Sequence, residues 1–321
     1  MPVEVCISAE GATYDVESTL ARCAEDCGFA GYFRADHLMR AGTDDPAALA
    51  TDVWVSMAGL ARETQRIRLG SVMTCSTFRY PAHLAIIVAQ VDAMSGGRVE
   101  LGIGAGSSPA EHVALDIQLD DIGTRFDRLE EQLELIKAIW STPLNEELDF
   151  DGDHYRIQGY PARVEPAQSP SPPIIIGGHG PKRTPRLAAR FADEFNIDWV
   201  TPEQAAAAYE RIDRACEAAG RDPASLARSV SLVLCCATSD RELERRREAT
   251  RRGMEEGEEQ ALDDGAHGKP QQVVDRIGEF VEVGVSRVYL EVYDMTDLDH
   301  LALVAQEVLP HLATPGSEAG G

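Results

Sequence analysis

The chain has 321 residues, 44% of them hydrophobic, which is enough for one large globular core or two smaller ones. Its formal charge is −24, with 54 acidic against 30 basic residues, and this argues against a nucleic-acid partner, which needs clustered cations for phosphate. No apolar run reaches the roughly 18 residues of a membrane span, and the start Met1-Pro-Val-Glu lacks a basic, apolar leader pattern, so the expectation is a cytoplasmic protein with no membrane partner.

The seven cysteines are scattered without metal-ligand spacing, and no metal site is expected. Cys23 and Cys27 share a helical face and read as apolar packing. Only Lys137, Lys182 and Lys269 are lysines; the remaining basic residues are arginines. An acidic, lysine-poor surface suits a high-salt cytoplasm, and an arginine-favouring genome explains the lysine shortage equally well.

In chain order, residues 3–8 alternate as a first strand, and residues 16–27 form an amphipathic helix that Gly28 stops. Residues 29–34 are a second strand, ending at Asp36-His37. A Gly/Asp/Pro loop over 41–50 is long enough to bend over a site, and residues 52–63 form a helix. Arg66-Ile67-Arg68-Leu69 opens a third strand that runs through Thr74; Pro81 starts a buried helix over 83–94, and Ser95-Gly96-Gly97 ends it. Residues 98–104 are a fourth strand. Strand, helix and strand in so short a stretch form a βαβ unit of a parallel sheet.

A short helix lies near 111–115, and residues 125–140 carry Phe126, Leu129, Leu133, Ile136 and Trp140 on one face of a long helix. Residues 145–173 are turn-rich, with a small hairpin at 150–155, and read as an insertion. Ile174-Ile175-Ile176 is a fully buried parallel strand. Helix 184–191, strand 193–200, helix 202–219, strand 229–238, a charged helix over 240–264, helix 271–283, strand 286–292 and helix 298–312 complete the chain. Eight strands alternating with helices predict a (β/α)8 TIM barrel, one domain over residues 1–313 with a disordered tail at 314–321.

In such barrels the carboxyl ends of the strands carry the chemistry. Asp36-His37 sits at one of them: the imidazole can exchange a proton near neutrality and the carboxylate can orient it, or the pair satisfies loop amides. Gly102-Ile-Gly-Ala-Gly106 does not complete a nucleotide-type glycine loop; its glycines allow backbone to approach a flat ring. Gly177-Gly178-His179-Gly180 leads into a helix N-terminus with Lys182 and Arg183 in its first turn, a phosphate cradle. Arg79 is a further candidate for a phosphate or carboxylate.

Several pieces stand together in order: Asp36-His37, Leu69-Gly70, Phe78-Arg79-Tyr80-Pro81, Ser95-Gly96-Gly97-Arg98, Gly102 to Gly106, Arg125-Phe-Asp-Arg-Leu-Glu130 and Pro172 to Gly178. This ordered set resembles the luciferase-like monooxygenase family, in its branch of oxidoreductases using the deazaflavin coenzyme F420. The resemblance implies a bacterial luciferase-like barrel and hydride transfer between the deazaflavin and a small organic substrate, with His37 and Asp36 as catalytic residues. It places the cofactor against Asp36, Val72, Met73, Thr74, Gly104, Gly106, Ser107, Gly177, Gly178 and His179, with Lys182 and Arg183 on its phosphate. It also implies a non-prolyl cis peptide at Val72-Met73 and a homodimer. Ser107-Ser108 replaces the aromatic or glutamate of relatives, which argues against glucose 6-phosphate as substrate and for a wider pocket. Relatives keep a pair like Glu111-His112, whose plainer role is packing on the rim. Two further readings stay open: an FMN-dependent monooxygenase, and a non-catalytic flavin- or deazaflavin-binding protein.

Overall fold

A computed structural model describes residues 3–39, 51–254 and 258–312. The loop expected at 41–50 and the tail expected at 314–321 lie outside the described residues. In chain order the elements are β1 (Glu4–Ala9), α1 (Tyr14–Asp26), β2 (Gly31–Arg34), α2 (Val53–Glu63), β3 (Arg68–Cys75), α3 (Pro81–Ser95), β4 (Val99–Gly104), α4 (Pro109–Ala114) and α5 (Ile122–Ser141). They continue as β5 (Glu147–Asp151), β6 (Arg156–Pro161), β7 (Ile174–Gly177), α6 (Arg183–Phe191), β8 (Glu194–Asp198), α7 (Pro202–Ala218), β9 (Ala227–Cys236), α8 (Asp240–Gly253) and α9 (Glu259–Asp263). The chain closes with β10 (Ala266–Gly268), α10 (Pro270–Glu282), β11 (Arg287–Val292), α11 (Leu298–Glu307) and α12 (Leu309–Leu312).

Eight parallel strands run β1-β2-β3-β4-β7-β8-β9-β11, and β11 pairs back onto β1, so the sheet closes on itself. The barrel is the predicted (β/α)8 fold, with β5 and β6 as a separate two-stranded hairpin outside it. Local chemistry sets the element ends. Asp52 accepts from the Trp54 and Val55 amides to cap α2, Thr201 and Gln204 form a capping box on α7, and Gly96 ends α3 at φ 73°. Ile174, Ile175 and Ile176 are all buried, each contributing roughly 1.5–3 kcal/mol of apolar burial.

The structure departs from the expected elements at two places. The charged helix expected over 240–264 is two helices, α8 and α9, followed by a strand, β10, that the sequence pattern did not show. β9 is ten residues long and pairs with β8 and β11 only as far as Val233, so Leu234 to Cys236 offer an edge that β10 takes up. The closing helix breaks after Glu307, where Pro310 has no N–H to donate to the preceding turn.

Inside the barrel the side chains form tiers. At the amino ends of the strands, Arg287 donates to Glu100 (2.6 Å) and Glu194 (2.8 Å), and Tyr289 donates its hydroxyl to Glu194 (2.7 Å). Burial raises the Glu194 carboxyl above its usual range, and Arg287 opposes that rise. Above this polar base, Cys6, Phe33, Ile175 and Tyr289 form an apolar plug, with Val72 and Met73 packed on it. The candidate site lies on the other side of Met73.

Candidate active site at the barrel mouth

The carboxyl ends of the strands enclose a cavity of about 500 Å³, within the range of small-molecule sites. Its floor is β3. The register of β3 against β4 shifts between Ser71 and Thr74, and the Val72-Met73 peptide is cis, as the resemblance implied. The bulge is held by a hydrogen-bond chain: Trp54 Nε1 donates to Thr74 Oγ1 (3.1 Å), the Thr74 and Ser71 hydroxyls are 2.7 Å apart, and Ser71 donates to the Gly102 carbonyl (2.9 Å). Gly102 has a structural task here, because a Cβ there would lie 2.0 Å from the Ser71 carbonyl oxygen. Of the five-residue glycine run, Gly104 and Gly106 are the glycines that line the cavity.

Asp36 and His37, which follow β2, both line the cavity, but they face different partners. Asp36 is buried, and its oxygens accept from Arg79 (Nη1, and Nη2 at 2.9 Å) and from the Cys75 amide (3.0 Å). Arg79 also bonds Asp52 (2.6 Å), so it ties the β2 end to α2 instead of presenting its charge to a ligand. The His37 ring places Nδ1 3.0 Å from Glu111 Oε2, while Glu111 Oε1 accepts the amides of Leu38 (2.6 Å) and Met39 (3.0 Å). This hydrogen bond to Glu111 lifts the imidazole pKa to about 9, against the opposing effect of burial. Glu111 itself is buried, and although burial raises its carboxyl, the bonds from His37 and the two amides bring it below the ordinary value. With Nδ1 facing Glu111, His37 leaves Nε2 as its other polar atom. Its neighbour His112 is locked: Nδ1 donates to the Ser108 carbonyl (2.8 Å) and Nε2 lies 2.7 Å from the Thr77 hydroxyl. Both residues line the cavity, Glu111 bonded to the His37 ring and His112 held by Ser108 and Thr77.

Val72, Met73, Thr74, Ser107, Gly177, Gly178 and His179 also line the cavity. Gly178 has φ 130°, open to glycine, and a Cβ at Gly177 would lie 2.5 Å from Met73 Cε. The His179 ring bonds Asp198 (2.9 Å), and that bond raises its pKa. The two cations expected beside them do not line the cavity. Arg183 turns to α5 and donates to the Gly123 carbonyl (2.7 Å) and Asp127 (2.6 Å), whereas Lys182 is exposed and makes no ion pair among the described residues.

The sequence pattern left out a group of polar residues from the far strands: Asn196 and Asp198 on β8, Ser231 on β9 and Glu291 on β11. Glu291 accepts from Trp199 Nε1 (2.8 Å), and burial, reinforced by Asp198, Glu10 and Glu258, raises its carboxyl pKa to about 8. The signal was present in Arg287-Val-Tyr-Leu-Glu291, where every second residue is polar within an otherwise apolar strand. In a closed barrel that parity points inward.

A family profile described as luciferase-like monooxygenase matches residues 2–287. A protein of Nakamurella multipartita named F420-dependent glucose-6-phosphate dehydrogenase is 37% identical over 177 residues, covering 55% of this chain and 50% of that protein. A Mycobacterium tuberculosis protein named F420-dependent hydroxymycolic acid dehydrogenase is 30% identical over 234 residues, covering 72% of this chain and 61% of that one. The chain thus spans about half to three-fifths of the length of these curated relatives. Among solved structures, an F420-dependent secondary alcohol dehydrogenase in complex with an F420-acetone adduct superposes with a TM-score of 0.82 at 19% identity, covering 97% of this chain and 99% of the other. With a profile match across most of its length and the barrel to go with it, the chain belongs to the luciferase-like monooxygenase family.

Proposed function

We propose that the protein is an F420-dependent oxidoreductase acting on a small organic substrate at the barrel mouth. The observation that carries this reading is the His37–Glu111 pair, set in the same cavity as the bulged Val72-Met73 floor. Both curated relatives described above are named as F420-dependent dehydrogenases. The deazaflavin supplies hydride exchange at its central ring when bound. Gly104, Gly106, Gly177 and Gly178 keep one wall of the cavity low enough for a flat ring beside Met73. Ser107 and His179 offer polar edges, Asp36 holds the β2 end in place through Arg79, and Lys182 is the cation available to a phosphate outside the cavity.

His37 handles the proton. Glu111 holds the ring by Nδ1, so the exchange takes place at Nε2. At neutral pH the ring is charged and set to donate, as reduction of a carbonyl requires. Oxidation of an alcohol requires the neutral ring, so that direction should quicken as the pH climbs towards 9. The domain reading is one barrel over residues 1–313, in a homodimer in which α2 and α3 present Val55, Ala58 and Ile87 to a second copy. Parallel titrations with F420 and FMN test the cofactor. Tight binding of F420, followed by substrate-dependent change at its absorption band without oxygen consumption, is expected. Binding of FMN alone, or oxygen-dependent turnover, would transfer the protein to the monooxygenase reading.

A further inference from the structure

The cavity has an uneven electrostatic lining. None of the described residues that line it is Lys or Arg, although the chain carries 30 such residues. Its acidic groups differ in how far they are neutralised. Asp36 is bonded by Arg79, Glu111 by the His37 ring, and Asp198 by the His179 ring. Among the described residues, Glu291 has only the uncharged Trp199 indole as a hydrogen-bond partner. It stands on β11, and with Ser231 of β9 and Asn196 of β8 it forms the polar wall across the barrel from β3.

We propose that Glu291, held by the Trp199 indole, sets the charge of the substrate, admitting uncharged hydroxyl or carbonyl compounds and excluding phosphorylated or carboxylated ones. The inference rests on the oxidoreductase reading above and adds the substrate class to it. Two physical arguments support it. A phosphate or carboxylate leaving water needs a cation or several N–H donors to replace its hydration, and this wall offers carboxyl, hydroxyl and amide groups instead. A carboxyl flanked by Asp198, Glu10 and Glu258 also keeps its proton at neutral pH, so it can donate to a carbonyl or hydroxyl oxygen and accept from a hydroxyl. An anion entering beside those carboxylates meets repulsion that low polarity strengthens.

The test is a ligand-observed NMR binding screen of matched sets, each an alcohol with its phosphate ester, its carboxylate and its amine. It is run on the wild-type chain and on Glu291→Gln, Glu291→Leu and Glu291→Lys, with F420 titrated into all four proteins. In the wild type the uncharged member of each set should bind best. Glu291→Gln, which keeps a donor and an acceptor, should hold the uncharged members within about threefold, and Glu291→Leu should lose at least about tenfold. Glu291→Lys should turn the selectivity towards phosphate esters by about tenfold or more, with F420 affinity steady in all variants. Wild-type preference for a phosphate, carboxylate or amine member would overturn the proposal, as would a Leu variant that binds uncharged members unchanged. Failure of the oxidoreductase reading shows separately, as absence of F420 binding in every protein, while the charge selectivity is still read from the cofactor-free chain. Should the Lys variant fail to fold, the contrast between Gln and Leu decides.

Discussion

Replacing Glu111 by Gln isolates the electrostatic half of the His37 pair. Gln keeps an oxygen for the Leu38 and Met39 amides, which Glu111 Oε1 now accepts at 2.6 and 3.0 Å, so the loop after β2 should hold its shape. What disappears is the negative charge 3.0 Å from His37 Nδ1. That contact is the largest cause of the rise in the imidazole pKa from its ordinary 6.5 to about 9. The His37 side chain is 42% exposed, so water screens part of the interaction. We therefore expect the Gln variant to titrate near about 7. At pH 7.5 the wild-type ring is almost wholly protonated, and the variant ring would be about one-quarter protonated. The sign for stability follows from a raised folded-state pKa: the pair stabilises the fold fully below 6.5, and that contribution fades as the pH rises through about 9. In the Gln variant most of this alkaline loss should disappear, with only a small remainder near pH 7. The assay is a two-dimensional NMR titration of the His37 ring, alongside the pH profile of kcat/KM for carbonyl reduction. A ring that still titrates near 9 in the variant would refute the reasoning.

Three further outcomes are expected. Lys182→Ala should weaken F420 binding by roughly 1 kcal/mol in a salt-dependent way, and Arg183→Ala should cost less because Asp127 already engages that guanidinium; equal losses in isothermal titration would contradict this. Ser107→Trp should slow bulky substrates while F420 affinity stays within about 1 kcal/mol, and a variant that loses F420 instead would place the ring elsewhere in the cavity. Arg287→Met should cost about 3–5 kcal/mol in urea unfolding at neutral pH by leaving buried Glu194 with the uncharged Tyr289 hydroxyl in place of a cation, whereas Glu100 keeps Arg68. Because burial already raises the Glu194 carboxyl, that deficit should shrink as the pH falls and Glu194 takes up a proton.

The eight barrel strands were legible because each is a short apolar or alternating run closed by small or turn residues, as in Ile174-Ile-Ile-Gly177. β10 was not: three residues that pair only because β9 overshoots its neighbours carry no pattern of their own. The near half of the site, from Asp36 to Gly178, could be read locally because each strand delivers its residues directly into the mouth. Where a side chain then turned was decided by distant partners. Arg183 follows Asp127 on α5, and Arg79 follows Asp36 and Asp52. Glu291 needed the barrel's closure to be recognised, since the inward parity of Arg287, Tyr289 and Glu291 means little until the strand has neighbours on both sides.

The tiers beneath Met73 have a kinetic corollary. Among the described residues, the polar base of Arg287, Glu100 and Glu194 and the plug of Phe33, Ile175 and Tyr289 above it fill the barrel axis beneath Met73. A ligand of His37 is then expected to arrive from the mouth and depart the same way. Two ligands sharing one doorway must queue, with the deeper one first in and last out. A flat ring lying on Met73 would be the deeper occupant, so turnover should follow a compulsory order with cofactor leading, and excess substrate should trap it inside.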